Sequence, residues 1–331
     1  MSASIYDVAQ RSGVSVATVS RVLNKSGKVR PETIEKVRKA VQELQYAQNL
    51  MAKGLAEQRS RFVGVILPSV LDGNSTYVVE CLAGVGQALE AEGYHVLLLY
   101  ENTGGVEACE QYLRDHLIAG VLALSASSAP ELIDRLSGEE GCPVGYIGPP
   151  RSNFACNVYA NYPGYTAELV RQLCKAGKDK VLLFCAQPMY EEKLRQELCD
   201  TGQNDSEVPI EWCCREEHAP AQWQKRIADE VRKAAAAGTA AVFTGSVSEA
   251  ACVLATCREE RIPIPEKISL ITVEHSAEEG RLFVPGVDTY LVPAHEMGEK
   301  LAQMLLRRMQ GDVQEERLII QGKYHRSDDL K

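Results

Sequence analysis

The residues best suited to chemistry lie near the start of the chain, in the run Ser15-Val-Ala-Thr-Val-Ser-Arg21. As a short helix, this run has a first turn of small and polar residues that can come close to a nucleic-acid groove. Arg21, six residues after Ser15, then emerges from the middle of the helix, where a guanidinium can bond O6 and N7 of guanine. Thr18 and Ser20 offer hydroxyls suited to phosphate oxygens, contacts that position a protein on a duplex without reading its sequence. The same spacing also fits a helical hairpin with a solvated arginine.

Charge separates these readings. Residues 1–61 hold 11 Lys and Arg against 5 Asp and Glu, a net +6, whereas residues 62–331 hold 25 against 40, a net −15. The overall −9 therefore hides a small basic module joined to a larger acidic body, the asymmetry expected when one end of a chain meets nucleic acid.

The elements that must position Arg21 are legible nearby. Ser4 with Asp7 can close a capping box, and Ile5, Val8 and Ala9 form an apolar stripe that stops at Ser12-Gly13. Ser15 can cap the second helix, with Val14, Ala17, Val19, Val22 and Leu23 as its apolar contacts. Pro31 stands where a first helical residue belongs, ahead of Ile34, Val37, Val41 and Leu44 at helical spacing.

From Phe62 the texture changes to short β-rich runs at 62–67, 96–100, 120–124, 144–147, 181–185, 241–244 and 270–273. Helical stretches near 78–92, 107–117, 162–176, 191–198, 223–236, 248–260 and 294–309 lie between them. This alternation predicts parallel sheets with covering helices, and the length favours two doubly wound lobes. Ligands of such sheets bind beyond the carboxyl ends of the strands, which directs attention to 68–77, 125–128, 187–190, 246 and 274–276.

At 45% apolar and 24% charged, the 331 residues describe a globular protein of about two domains with a small extra module. No apolar run reaches a membrane-span length and the N-terminus lacks a basic-then-apolar leader, so a cytoplasmic protein is expected, with no membrane partner. The eleven cysteines are odd in number and lack a C-x-x-C pair, an arrangement that fits reduced thiols better than disulfides or zinc. The six histidines show no metal spacing; His275, beside Glu274, is the one candidate for a binding cleft.

The string IYDVAQRSGVSVATVSRVLN (5–24) resembles the N-terminal motif of the lactose and galactose repressor family of bacterial transcriptional regulators, and VRPETIEKVRKAVQELQY resembles that family's third helix. The likeness continues through Asn49-Leu-Met-Ala-Lys-Gly-Leu-Ala56, similar to the family's hinge helix, and through EKISLITVEH and PAHEMGEKLAQMLLRRMQG. It implies a helix-turn-helix domain at 1–48, a hinge helix and linker at 49–61, and a two-lobed core at 62–331 similar to periplasmic sugar-binding proteins. One lobe would comprise about 62–160 and 290–317, the other 161–289 and 318–331. Val16 and Ala17 take the base-reading positions beside Arg21, Asn24 that of a backbone contact, and Asn49 lies in the hinge helix. Leu55 takes the position of the wedge at the operator centre, with a core leucine of a linker helix as the plainer reading. Many relatives have proline where this chain has Gln48, which bears on hinge stiffness.

The resemblance thus implies a homodimeric regulator, usually a repressor of sugar-metabolism genes, on a palindromic double-stranded operator, with affinity altered by a sugar or sugar derivative between the lobes. The pocket departs from the family. Ala160-Asn161 replaces an Asp-Asn pair, Ser246-Val247 replaces Asn-Asp, Gly148-Pro149 replaces Asp-Arg, and Glu274 stands for the usual aspartate. Glu274 with Asn161 can still hold sugar hydroxyls; alternatively, a pocket short of carboxylates takes an anion, with Lys193 or Arg195 as the cation. Tyr77, Tyr146 and Tyr190 are candidate walls, Trp223 is a further aromatic, and Ser75, Ser125 and Ser246 are polar candidates.

No nucleophile elbow or phosphate loop is present; Gly84-Val-Gly86 begins a dinucleotide fingerprint, but inside a helical stretch. No enzyme activity, cofactor or metal is expected. The competing readings are a sugar-binding protein without a DNA role, and a cytosolic sugar-acting enzyme.

Overall fold

The computed structural model describes residues 3–24, 26–47, 60–67, 75–100, 105–125, 130–138, 143–149, 156–175, 177–185, 196, 209–214, 220–276, 279, 287–311 and 316–327. The chain divides into two compact units, Met1–Arg61 with Asp115–Leu117, and Phe62–Arg114 with Ile118–Lys331.

The first unit is built on α1 (Ile5–Ser12), α2 (Val16–Leu23) and α3 (Pro31–Glu43). The capping box forms: the Asp7 N–H donates to Ser4 Oγ (3.3 Å) and the Ser4 N–H donates to Asp7 Oδ2 (2.8 Å), so two of the orphan donors at the start of α1 find partners. Helix α1 ends at Gly13, whose φ of +69° is a left-handed conformation that a side chain would strain. Two residues on, Ser15 caps α2 by accepting the Thr18 N–H at 3.2 Å, which makes the turn between the helices tight. Val8, Ala9, Val19, Val37 and Ala40 are the buried centre, one face from each helix.

In the second unit the first sheet runs β11-β5-β4-β3-β1-β2, formed by β1 (Phe62–Leu67), β2 (His95–Tyr100), β3 (Val121–Ala123), β4 (Val144–Ile147), β5 (Cys156–Ala160) and β11 (Glu316–Ile320). All its pairings are parallel. Strand β1 reads as a nearly continuous apolar run because both faces are covered. Val63, Val65 and Leu67 join the core beneath α4 (Ser75–Ala91) and α10 (Ala294–Met309). Ile66 joins the core beneath α5 (Gly105–Arg114) and α6 (Pro130–Gly138).

The second sheet runs β12-β10-β9-β8-β6-β7, formed by β6 (Lys180–Cys185), β7 (Ile210–Cys214), β8 (Ala240–Thr244), β9 (Ile268–Glu274), β10 (Val287–Leu291) and β12 (Lys323–His325). It is parallel except for β12 against β10. Helix α7 (Tyr162–Lys175) packs on one face; α8 (Pro220–Ala237) and α9 (Val247–Glu259) pack on the other.

The chain crosses between the sheets at Asn161, between Leu291 and Ala294, and between Ile320 and Lys323. These crossings move two expected lobe boundaries: β10 pairs with β9, so 290–291 belong to the second sheet, and the whole of β11 belongs to the first, so the last crossing falls after Ile320 rather than at 317. The strands β5, β7, β10, β11 and β12 and helix α6 were not among the expected runs, while the expected helix at 191–198, apart from Gln196, and the hinge residues 49–59 lie outside the described residues.

Candidate functional site

In the first unit α2 presents a narrow exposed strip. Val19 is fully buried, which turns Ala17 and Arg21, four residues apart on one face, toward solvent. Arg21 stands in the last turn of α2, later than the mid-helix position expected, and no described residue pairs with its guanidinium. Val16 and Thr18 are half-buried, Val16 against the three-helix core. The Ser15 and Thr18 hydroxyls lie 2.9 Å apart, and Ser20 Oγ accepts from Asn24 Nδ2 at 3.3 Å, so these polar groups are held in place by one another.

The first unit also exposes the cations Lys28, Arg30, Lys36, Arg38 and Lys39, whereas Arg11 is tied to Glu43 at 2.6 Å. Tyr6 is 72% exposed on α1 and was not singled out from the sequence. Its only sequence signal is that an aromatic falls off the Ile5, Val8, Ala9 stripe. Asn49 and Leu55 lie outside the described residues.

In the second unit the strand ends place Tyr77 and His275 together. Tyr77 follows β1 at the start of α4, and His275 follows β9; their rings meet edge to face with centroids 4.9 Å apart. Ser125 is half-buried just past β3. These residues sit beyond the carboxyl ends of strands in both sheets, the region where doubly wound sheets receive ligands.

Glu274, the last residue of β9, is 1% exposed and reaches toward β10 and β12. Its Oε1 accepts from Thr289 Oγ1 at 3.1 Å and lies 3.5 Å from His325 Nδ1, while Oε2 is buried without a partner among the described residues. Burial raises its carboxyl above the usual range, against the opposing pull of Thr289 and His325. The two partners come from β10 and the short β12, elements the sequence reading had not resolved. His275 is held differently: its backbone N–H donates to Glu279 Oε2 at 2.9 Å, and its Nδ1 is buried without a partner among the described residues. Burial lowers its pKa to about 4, so the ring is neutral near pH 7.

Several expected pocket residues have structural duties instead. Tyr146 is fully buried between β4 and the α5–α6 layer, a core aromatic rather than a cleft wall, with its hydroxyl 3.4 Å from the Pro149 carbonyl. Trp223 is 4% exposed, edge-on to Phe184, and its Nε1 donates to Glu249 Oε1 at 3.0 Å beneath α9. The Ser246 hydroxyl caps α9 by accepting the Glu249 N–H at 3.3 Å. Asn161 Oδ1 accepts the Gly164 N–H at 3.2 Å at the start of α7, and a methyl group on Gly164 would collide with the Asn161 amide. Ser75 is the first residue of α4, and nothing further is described of its side chain. Tyr190, Lys193 and Arg195 lie outside the described residues. Among the described residues no group of His, Cys, Asp and Glu could hold a metal, and no helix is long and apolar enough to cross a membrane.

A capped three-helix unit with an exposed arginine strip, followed by two doubly wound sheets that meet at their strand ends, defines a DNA-binding transcriptional regulator with a two-lobed core. The family model for bacterial regulatory proteins of the lacI family matches residues 4–49, and that for periplasmic binding protein-like domains matches 170–324. The chain thus carries a lacI-family DNA-binding domain followed by a periplasmic-binding-protein-like domain, a combination found in transcriptional regulators.

Among full-length relatives, the transcriptional repressor PurR of Pectobacterium carotovorum subsp. carotovorum is 27% identical over 93% of this chain and 90% of its own. The ribose operon repressor of Bacillus subtilis is 28% identical over 92% and 91%. The crystal structure of the lac repressor dimer bound to operator and the anti-inducer ONPF is similar in fold, with a TM-score of 0.79 at 19% identity over the whole of both chains.

Proposed function

We propose that this protein is a cytoplasmic repressor of sugar-metabolism genes that binds a palindromic operator as a homodimer and changes its operator affinity when a small sugar-like effector enters between the two sheets. The observation that carries the DNA half is the unpaired Arg21 beside Ala17 on a short capped helix in a module of net +6. Val16, Ala17 and Arg21 read base edges, with Ser15, Thr18, Ser20, Asn24 and Tyr6 at the phosphates. Asn49 and Leu55 are assigned to the hinge, where two leucines side by side would open the minor groove.

The dimer is supported by a face of the first lobe on which Val79 of α4 (62% exposed) and Leu98 and Tyr100 of the edge strand β2 (42% and 50%) lie uncovered. Large apolar residues left exposed on an edge strand and its neighbouring helix suit a second copy of the chain. The known dimer of the lac repressor on its operator supports the same assembly. The effector half is supported by Tyr77, Ser125 and His275 at the strand ends, and by the name of the ribose operon repressor among the relatives.

The test is selection from a randomised duplex pool with the full chain, followed by gel shifts of the selected site with sugars and sugar phosphates. Recovery of a two-fold symmetric site, shifted by at least one compound, supports the reading. A pool without enrichment contradicts the DNA half, and a selected site indifferent to every compound contradicts the effector half.

A further inference from the structure

Strand β9 ends in two polar residues that take different directions. Glu274 turns within its own lobe toward Thr289 and His325, whereas His275 meets Tyr77 from the other lobe. Of the two, His275 is therefore the one at the junction between the sheets. It is 7% exposed, and its Nδ1 has no hydrogen-bond partner among the described residues. Leaving a buried polar atom without a hydrogen bond is unfavourable, so such an atom in a binding protein marks a place where a ligand group can be received.

The ring's other nitrogen decides what Nδ1 can do. Nε2, unlike Nδ1, is not among the buried atoms left unsatisfied, and we place the single proton of the neutral ring there. In a neutral ring with the proton on Nε2, Nδ1 can only accept. The described charged and titratable groups around it are Glu274 beside it in sequence, with His325 behind that carboxyl, Glu279 at its backbone N–H, and the Tyr77 ring. Burial opposes protonation of His275. The surroundings therefore hold two carboxylates, and the imidazole between them is uncharged.

We propose that His275, rather than Glu274, is the polar contact that β9 offers the effector, accepting at Nδ1 a hydrogen bond from an uncharged donor of the sugar-hydroxyl class once Tyr77 parts from it. Glu274 is then a positioning residue that ties β9 to β10 and β12. A phosphorylated or carboxylated ligand is disfavoured because it brings acceptors to an acceptor, next to Glu274 and Glu279. This inference rests on the effector reading above and narrows it to a ligand class.

The experiment is isothermal titration of the full chain with matched neutral and anionic pairs: ribose with ribose 5-phosphate, and glucose with glucose 6-phosphate and gluconate. Each is also assayed for its effect on binding of the selected duplex. The expected binder is neutral, its affinity is flat between pH 6 and 8, and His275→Leu weakens it at least tenfold while His275→Gln, which keeps an acceptor, stays within a few fold.

An anionic member that binds and alters duplex affinity overturns the inference while leaving the regulator reading standing, as does His275→Leu binding like the parent. Affinity that rises steadily as the pH falls from 8 to 6 overturns it too, since that is the mark of a protonated imidazole holding an anion. This pH arm stands even where His275→Leu does not fold. A panel in which nothing binds and nothing changes duplex affinity contradicts the effector reading itself, and is told apart by the absence of any binding heat.

Discussion

At the scale of single residues, function turns on which polar groups are satisfied by the fold and which are left over. In α2 and its caps the hydroxyls of Ser15, Thr18 and Ser20 have partners, and Arg21 has none among the described residues. Arg21→Ala is expected to lose about 1–3 kcal/mol of discrimination at one guanine per half-site, read by comparing sites selected by parent and variant. Identical selected sites would show that Arg21 does not read a base. His275 makes a second prediction, on stability. Its pKa falls from 6.5 to about 4 on folding, so between those values the unfolded chain binds a proton that the native ring does not, and stability rises with pH across that window. Relative to His275→Gln, the parent should lose up to about 3 kcal/mol as the pH drops from about 6.5 toward 4, measured by denaturant titration at pH 7 and 4.5. A difference that is the same at both pH values contradicts the buried neutral ring. Tyr146 and Trp223 were candidates as aromatics near strand ends, but side-chain direction alternates along a strand and turns about a helix, and without the neighbouring elements the buried face cannot be told from the cleft face.

At the scale of elements, helix starts and the long amphipathic helices were legible because their signals are local. The Ser4–Asp7 box, the Ser15 cap, Pro31 at the first turn of α3 and the full extent of α10 all follow from short-range chemistry. Removing the α1 box with Ser4→Ala should cost about 0.5–2 kcal/mol in the DNA-binding unit, seen as an earlier thermal transition of that unit. Strands such as β5 and β10 were not legible, because whether a five-residue run becomes a strand is decided by the neighbours it pairs and packs with. Gly84 illustrates the same dependence on context. It lies inside α4, where a methyl group would collide with the His295 carbonyl of α10, and Gly298 of α10 meets the Cys81 carbonyl in the same way. The two glycines let these helices cross closely, a packing role that the superficial Gly84-Val-Gly86 motif conceals. Gly298→Ala should destabilise the core by about 1–3 kcal/mol through overpacking, measured by urea unfolding; an unchanged midpoint would show that the helices can separate freely.

At the scale of the whole molecule, the proposed action depends on the division of charge and on assembly as a homodimer. Residues 1–61 at +6 supply cations that displace condensed counterions from a duplex, and residues 62–331 at −15 keep the core away from it. Val79→Lys on the exposed face of α4 is expected to yield monomers in sedimentation and to weaken binding to a symmetric site far more than to a half-site. Equal losses on both would place the dimer contact elsewhere. The central claim, that two copies of the basic module grip one duplex, is tested most directly by fluorescence anisotropy of a selected symmetric duplex titrated with the full chain at 50 and 200 mM salt. The account predicts two chains per duplex and an affinity that falls by tens-fold or more between those concentrations. One chain per duplex, or an affinity unchanged by salt, would contradict it.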